Sequence, residues 1–203
     1  MNISVLRVSQ EYLHRGQNHV LALRSSFNVG LDAFESTDDR VTGDPNGRFV
    51  SWLGQGQYVH RLFQTQNEVL LRVTGQWTPD PLLALEQLSV GGYGSVRGYP
   101  ENQLVRDRGA VSSLEFHLPI AYNRSGAPMV QLAPFFDYGA AWNLRASPSP
   151  TTLYSAGSGL LVNVTRHVAA QLYWGYRLRH VTLPDSLGAQ GLGLSFRVTL
   201  QAF

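Results

Sequence analysis

Apolar and polar residues alternate along most of this chain in stretches of about ten, and that rhythm limits what it can fold into. In 19–31, Leu21, Leu23, Phe27, Val29 and Leu31 share one parity while Arg24, Ser26 and Asn28 share the other. In 69–77, Val69, Leu71, Val73 and Trp77 alternate with Arg72, Thr74 and Gln76. In 113–122, Leu114, Phe116, Leu118, Ile120 and Tyr122 oppose Ser113, Glu115 and His117. In 168–179, Val168, Ala170, Leu172, Trp174, Tyr176 and Leu178 oppose Gln171, Tyr173, Arg177 and Arg179. Successive side chains of a strand point to opposite faces, so period 2 is the strand signature. The pattern predicts nine strands, at 2–13, 18–31, 48–63, 68–80, 110–122, 128–142, 152–166, 168–182 and 189–203.

Strands of this length suit a tilted membrane crossing. Hydrophobic residues make up 43% of the 203 and charged ones only 15%, below the usual quarter for a soluble domain. No apolar run approaches the ~20 residues of a membrane helix, so a helical membrane protein is excluded. A transmembrane β-barrel reaches the same average with lipid-facing apolar and lumen-facing polar residues in alternation. The formal charge of +2 argues for no nucleic-acid partner, and the lack of cysteine removes disulfides and thiolate metal sites.

The connections sort by length. Residues 14–17, 64–67, 123–127 and the pair Arg166–His167 are short; 32–47, 81–109, 143–151 and 183–188 are longer and rich in Gly, Pro, Asp and Ser. Short turns at one end and long loops at the other are what an outer-membrane barrel shows, with the long loops outside the cell. Aromatic residues gather near strand ends (Trp52, Tyr58, Trp77, Tyr122, Tyr138, Trp142, Trp174 and Tyr176), where amphipathic rings would sit at headgroup level.

Two short motifs stand out. Gly91-Gly92-Tyr93-Gly94-Ser95-Val96-Arg97-Gly98-Tyr99 lies in the longest loop, and Phe135-Phe136-Asp137-Tyr138-Gly139 in a strand. Together they resemble the V-R-G-F/Y and F-x-D-x-G signatures of the Omp85 superfamily of outer-membrane β-barrel transporters. The flanks, residues 85–90 and 101–109, are similar to the two-partner secretion branch, TpsB, the ShlB/FhaC-type hemolysin activators. That branch has a sixteen-stranded barrel with the motif loop between strands eleven and twelve. Four strands precede the loop here and five follow it. The resemblance thus implies the C-terminal part of one transmembrane barrel domain over 1–203, resembling its last nine strands, with loop 81–109 folding inward. The periplasmic POTRA domains would be absent. Residues 1–20 lack the apolar core of a signal peptide, which an exported barrel needs, so a fragment or truncated reading frame is expected.

The resemblance also implies a site. The loop motif, Gly91, Gly92, Val96, Arg97, Gly98 and Tyr99, would fold back so that Arg97 meets Asp137 of the inner-wall motif Phe135, Asp137 and Gly139. Alternation agrees, because Val130, Leu132, Phe136, Tyr138 and Trp142 form the apolar parity and leave Gln131, Phe135, Asp137 and Gly139 facing inward. A guanidinium can hold a carboxylate by two parallel hydrogen bonds. Gly91, Gly92, Gly94 and Gly98 would let the loop turn tightly, and Gly139 would leave room beside Asp137 for Tyr99. Arg24, Arg72, Glu115, His117, Arg177, Arg179 and Arg197 are further inward candidates, read as a polar, mildly basic wall along which an unfolded chain could slide. Terminal Phe203 resembles the insertion signal of outer-membrane barrels, although the last strand's apolar parity (Leu192, Leu194, Phe196, Val198, Leu200) leaves it off phase.

Catalytic patterns are missing. Tyr93 and Arg97 stand where a G-x-S-x-G around Ser95 would need glycine, Gly92-Tyr93-Gly94 follows no βαβ pattern, and the six histidines show no paired ligand spacing. Asp44-Pro45-Asn46-Gly47 is a turn signal. The expectation is therefore a transporter rather than an enzyme, with no cofactor and no metal. Its partners would be a secreted TpsA-type exoprotein, outer-membrane lipid and, during insertion, the barrel-assembly machinery. Alternatives are a barrel-assembly insertase of the same superfamily, and a small complete outer-membrane barrel such as an enzyme or adhesin.

Overall fold

The computed structural model describes residues 4–31, 47–62, 65–165, 167–181 and 188–201. Among the described residues, nine long strands form one antiparallel sheet: β1 (Ser4–Arg15), β2 (His19–Leu31), β3 (Phe49–Arg61), β4 (Glu68–Trp77), β7 (Arg108–Tyr122), β8 (Pro128–Trp142), β9 (Thr152–Asn163), β10 (Val168–Arg177) and β11 (Leu194–Leu200). Each pairs with its neighbour in the chain, except that β4 pairs β7 across the long loop. Within that loop a small hairpin, β5 (Leu88–Val90) with β6 (Leu104–Arg106), forms a separate two-stranded sheet. Alternation could not reveal strands of three residues, which carry too few side chains to show a period. The ninth strand begins later than expected, after the short helix α1 (Gly188–Gly191).

The two faces differ sharply. Along β8 the side chains of Ala133, Phe135, Asp137 and Ala141, and the backbone at Gly139, are buried, while Leu132, Phe136, Tyr138 and Trp142 are exposed. The same split runs through β10, where Tyr173 and Gly175 are buried and Leu172, Trp174 and Tyr176 stand out. Phe196, Val198 and Leu200 of β11 are more than half exposed. One face is thus largely apolar, and the other holds the loop. Of the aromatics expected at strand ends, all but the half-buried Tyr58 are exposed. Trp52, Trp77, Trp142, Trp174 and Tyr176 lie near the long-loop ends of their strands, and Trp52 is directly paired with Trp77.

At one end of the sheet the described connections 16–18 and 123–127 are tight, each closed by backbone hydrogen bonds. At the other end lie 78–107 and 143–151. The expected long loops 32–47 and 183–188 fall almost wholly outside the described residues, as do Asp44, Pro45, Asn46, Arg166 and Phe203. No helix among the described residues is long and apolar enough to cross a membrane.

Candidate functional site

The loop between β4 and β7 lies against the inner face of β7–β10 and is packed there like a core. Leu88, Val90, Val96, Tyr99 and Leu104 from the loop cluster with Val111 of β7, Ala141 of β8 and Leu153 of β9. Burying apolar area stabilises by about 25 cal/mol per Å², so this cluster contributes to seating the loop. Its base is tied by Asp107, a buried carboxylate that alternation could not single out. Asp107 accepts hydrogen bonds from the Leu82 amide at 2.9 Å, the Gln87 side chain at 2.9 Å and the Leu144 amide at 3.0 Å. It therefore joins both ends of the loop to the β8–β9 connection.

At the centre sits Arg97, only 3% exposed. Its backbone amide donates to Asp137 Oδ2 at 3.0 Å, its Nε to the same oxygen at 2.8 Å, and its Nη2 to Oδ1 at 2.8 Å. Nη2 also donates to Ser113 Oγ at 2.9 Å, and Nη1 to Glu115 Oε2. Asp137 and Glu115 are both fully buried. The guanidinium carbon lies 3.6 Å from the ring centre of Phe135 and 4.7 Å from that of Tyr173, within the range of cation–π attraction. Burial opposes the charge on Arg97, but hydrogen bonds and the field of Asp137, joined by those of Glu115, outweigh it and raise its pKa above the ordinary arginine value. The loop arginine stays cationic.

Glu115 is the partner that sequence reasoning missed. It was legible only as one inward residue among seven. Strand pairing supplies the missing information, because Ser113 faces Asp137 and Glu115 faces Phe135 across β7–β8. This puts the second carboxylate one inward position along from the first. Glu115 also takes hydrogen bonds from Tyr173 Oη at 2.8 Å and shares one with His117 Nε2 at 2.7 Å; Arg72 Nη2 lies 3.5 Å from it. Of the inward charges expected to line a polar wall from β7 onward, all but that of Arg179, whose guanidinium donates to Thr152 Oγ1, are engaged with the loop or with the groups that hold it. Arg177 donates to Gly98 O, Arg179 donates its amide to Tyr99 Oη at 3.1 Å, and the guanidinium of Arg197 lies over Tyr93. The basic-wall expectation is corrected for these residues; among the seven, Arg24 stays half-exposed, 3.7 Å from Glu11.

The glycines divide as well. Gly91 (φ 115°), Gly92 (φ 92°) and Gly98 (φ 92°) need the left-handed region open to glycine. Gly94 does not: a methyl group there would meet nothing within 4 Å. Gly139 leaves space, but not for Tyr99. A Cβ on it would lie 2.5 Å from Val90 Cγ1 and 2.9 Å from Val96 Cγ2. Tyr99 instead reaches toward β9 and β10, its hydroxyl 2.8 Å from Arg179 O and 3.1 Å from Tyr154 O. The aromatic ring follows the apolar cluster away from the charged fork, whereas the two valines fill the gap at Gly139. Among the described residues no group of His, Asp or Glu could hold a metal ion.

Comparison with known proteins fits this geometry. The family of haemolysin secretion/activation proteins ShlB/FhaC/HecB matches residues 1–162. The chain belongs to that family. Two relatives named outer membrane transporter CdiB, one from Escherichia coli O6:K15:H31 (strain 536 / UPEC) and one from Escherichia coli, are 28% and 26% identical to it over 95% of its length. The chain spans about a third of the length of these relatives, 32% in each case. Among solved structures, CdiB from Escherichia coli superposes with a TM-score of 0.74 at 24% identity, covering 98% of this chain and 36% of that one. CdiB from Acinetobacter baumannii gives 0.70 at 19%, covering 98% and 33%. BamA from Haemophilus ducreyi lacking POTRA domains 1-3 gives 0.67 at 13%, covering 96% and 42%. These likenesses establish the fold, that of a β-barrel wall. The family places the chain in the bacterial outer membrane.

Proposed function

We propose that this chain forms the wall and lumen loop of an outer-membrane transporter that passes a partner exoprotein to the cell surface in two-partner secretion. Family membership supports protein transport of this kind, and the named relatives are transporters rather than enzymes. The observation that carries the mechanism is a loop cation buried in a fork of two wall carboxylates, Asp137 and Glu115. A charge so placed is costly to leave unpaired, so the loop has one strongly preferred seat. The exoprotein would cross unfolded, and the seated loop fixes the shape of the passage. Lipid surrounds the apolar face. The barrel-assembly machinery would insert the chain.

The test is deletion of the gene in its own host, followed by complementation with the full-length protein. The exoprotein should leave the surface on deletion and return on complementation, while other outer-membrane barrels assemble normally. A surface that keeps the exoprotein, together with a general loss of barrel proteins, would favour an insertase instead.

A further inference from the structure

On the outer face of the sheet an arginine stands in a row of tryptophans. Strand pairing sets Trp52 beside Trp77 and Arg108 beside Trp142. The pairing of Gln76 with Gly109 brings Trp77 next to Arg108. Trp52, Trp77 and Trp142 are exposed, and Arg108 shares its parity with the exposed Leu114 and Phe116 farther along β7. Arg108 Nε donates to Thr78 O at 2.6 Å, and the guanidinium carbon lies 5.2 Å from the Trp77 ring centre. Among the described residues neither Nη1 nor Nη2 of Arg108 has an acceptor, and no carboxylate pairs with the group.

A charge on the lipid face of a barrel is costly at the bilayer midplane and nearly free close to the interface. Tryptophan gathers at that same level. Trp77 and Trp142 end their strands and Arg108 begins its own, all at the long-loop end of the sheet. The row therefore marks the headgroup level there. The Nε bond and the Trp77 ring hold the guanidinium in place, and its two remaining amino groups need acceptors that the protein does not supply. Paired N–H donors in a planar fork match two oxygens of a phosphate. Long connections lie outside the cell, so this level belongs to the outer leaflet, which in a bacterial outer membrane is built of phosphorylated lipid A. We infer that Arg108, flanked by Trp77 and Trp142, binds a phosphate group of lipid A. The inference rests on the reading that lipid surrounds the apolar face, and it stands whether or not the barrel exports an exoprotein.

Titration of the full-length protein in detergent with lipid A, followed by native mass spectrometry, tests it. The wild-type protein should bind lipid A that carries both phosphates at least about tenfold more tightly than the same lipid with its phosphates removed, the lower end of what a hydrogen bond to a charged group contributes. Arg108→Gln should lose that preference, and Arg108→Lys, a point charge without the fork, should keep only part of it. The comparison of the two lipids needs no variant, so it decides the matter even if Arg108→Gln fails to insert. Equal binding of the two lipids, or an unchanged preference in Arg108→Gln, would overturn the assignment. Phosphatidylglycerol or inorganic phosphate bound as tightly as phosphorylated lipid A would also overturn it, by assigning the site to another source of phosphate. Contact of the outer face with lipid is read separately, by labelling at Phe136 and Tyr138 from a photoactivatable acyl chain in membrane discs. A labelled face without the phosphate preference refutes this site alone, and an unlabelled face refutes the lipid reading and the site with it.

Discussion

Arg97 and Asp137, forty positions apart in the chain, meet through three hydrogen bonds of 2.8–3.0 Å, one from the arginine's own backbone amide. The backbone bond fixes where the chain passes, and the two side-chain bonds fix the plane of the guanidinium. A lysine could replace the charge but not the fork. Arg97→Lys should therefore behave much like a loss variant, with the loop's protection from protease reduced rather than kept.

The two carboxylates should not be equivalent. Asp137→Asn removes charge from the group that takes three of the bonds, whereas Glu115→Gln touches the group that takes one bond from Arg97 and keeps contacts with Tyr173 and His117. Hydrogen bonds to charged groups contribute about 1.5–3 kcal/mol. Glu115→Gln is expected to cost an amount in that range, and Asp137→Asn more, in denaturant unfolding of the full-length protein. Equal losses would mean that the fork is a diffuse charge cluster.

Close packing gives a prediction free of charge effects. Gly139→Ala drives a methyl group into Val90 and Val96, and overpacking of this kind costs about 1–3 kcal/mol. Gly94→Ala meets only open space and should change stability by less than about 0.5 kcal/mol. Unfolding midpoints of the two variants, measured side by side, check this. A Gly94→Ala loss as large as that of Gly139→Ala would mean the loop is not seated as described.

Orientation follows from the sorting of connections. Residues 143–151 should face the cell exterior and 123–127 the periplasm. Single cysteines at Ser147 and Ser125 of the full-length protein, probed with an impermeant thiol reagent on intact cells, report it. Labelling at 147 alone is expected, and labelling at 125 alone would reverse the topology.

Much of this was legible before any coordinates, for physical reasons that differ from part to part. All nine long strands could be read because a membrane wall forces strict alternation, and Trp174 or Phe136 cannot turn inward without exposing a polar neighbour to lipid. Asp137 was legible as inward-facing by the same parity. The hairpin Leu88–Val90 with Leu104–Arg106 was not, because its strands are too short to show a period. Glu115 was hidden for another reason: its role depends on the register of β7 against β8, and alternation fixes a residue's face but not its partner. Tyr99 was misplaced next to Gly139 because a glycine shows that space exists without showing what fills it.

The central claim is that Arg97 and Asp137 hold the loop in its seat, and that the seated loop is needed for export. A double-mutant cycle on Arg97→Ala and Asp137→Ala in the full-length protein, read by unfolding with secretion assayed in parallel, tests it most directly. Breaking a fully buried pair by removing one partner costs about 3–5 kcal/mol, and the remaining Glu115 reduces that. The account predicts that each single variant inserts but secretes poorly, and that the pair couples by more than about 0.5 kcal/mol, the limit for independent sites. Additive losses, or full secretion from either single variant, would contradict it.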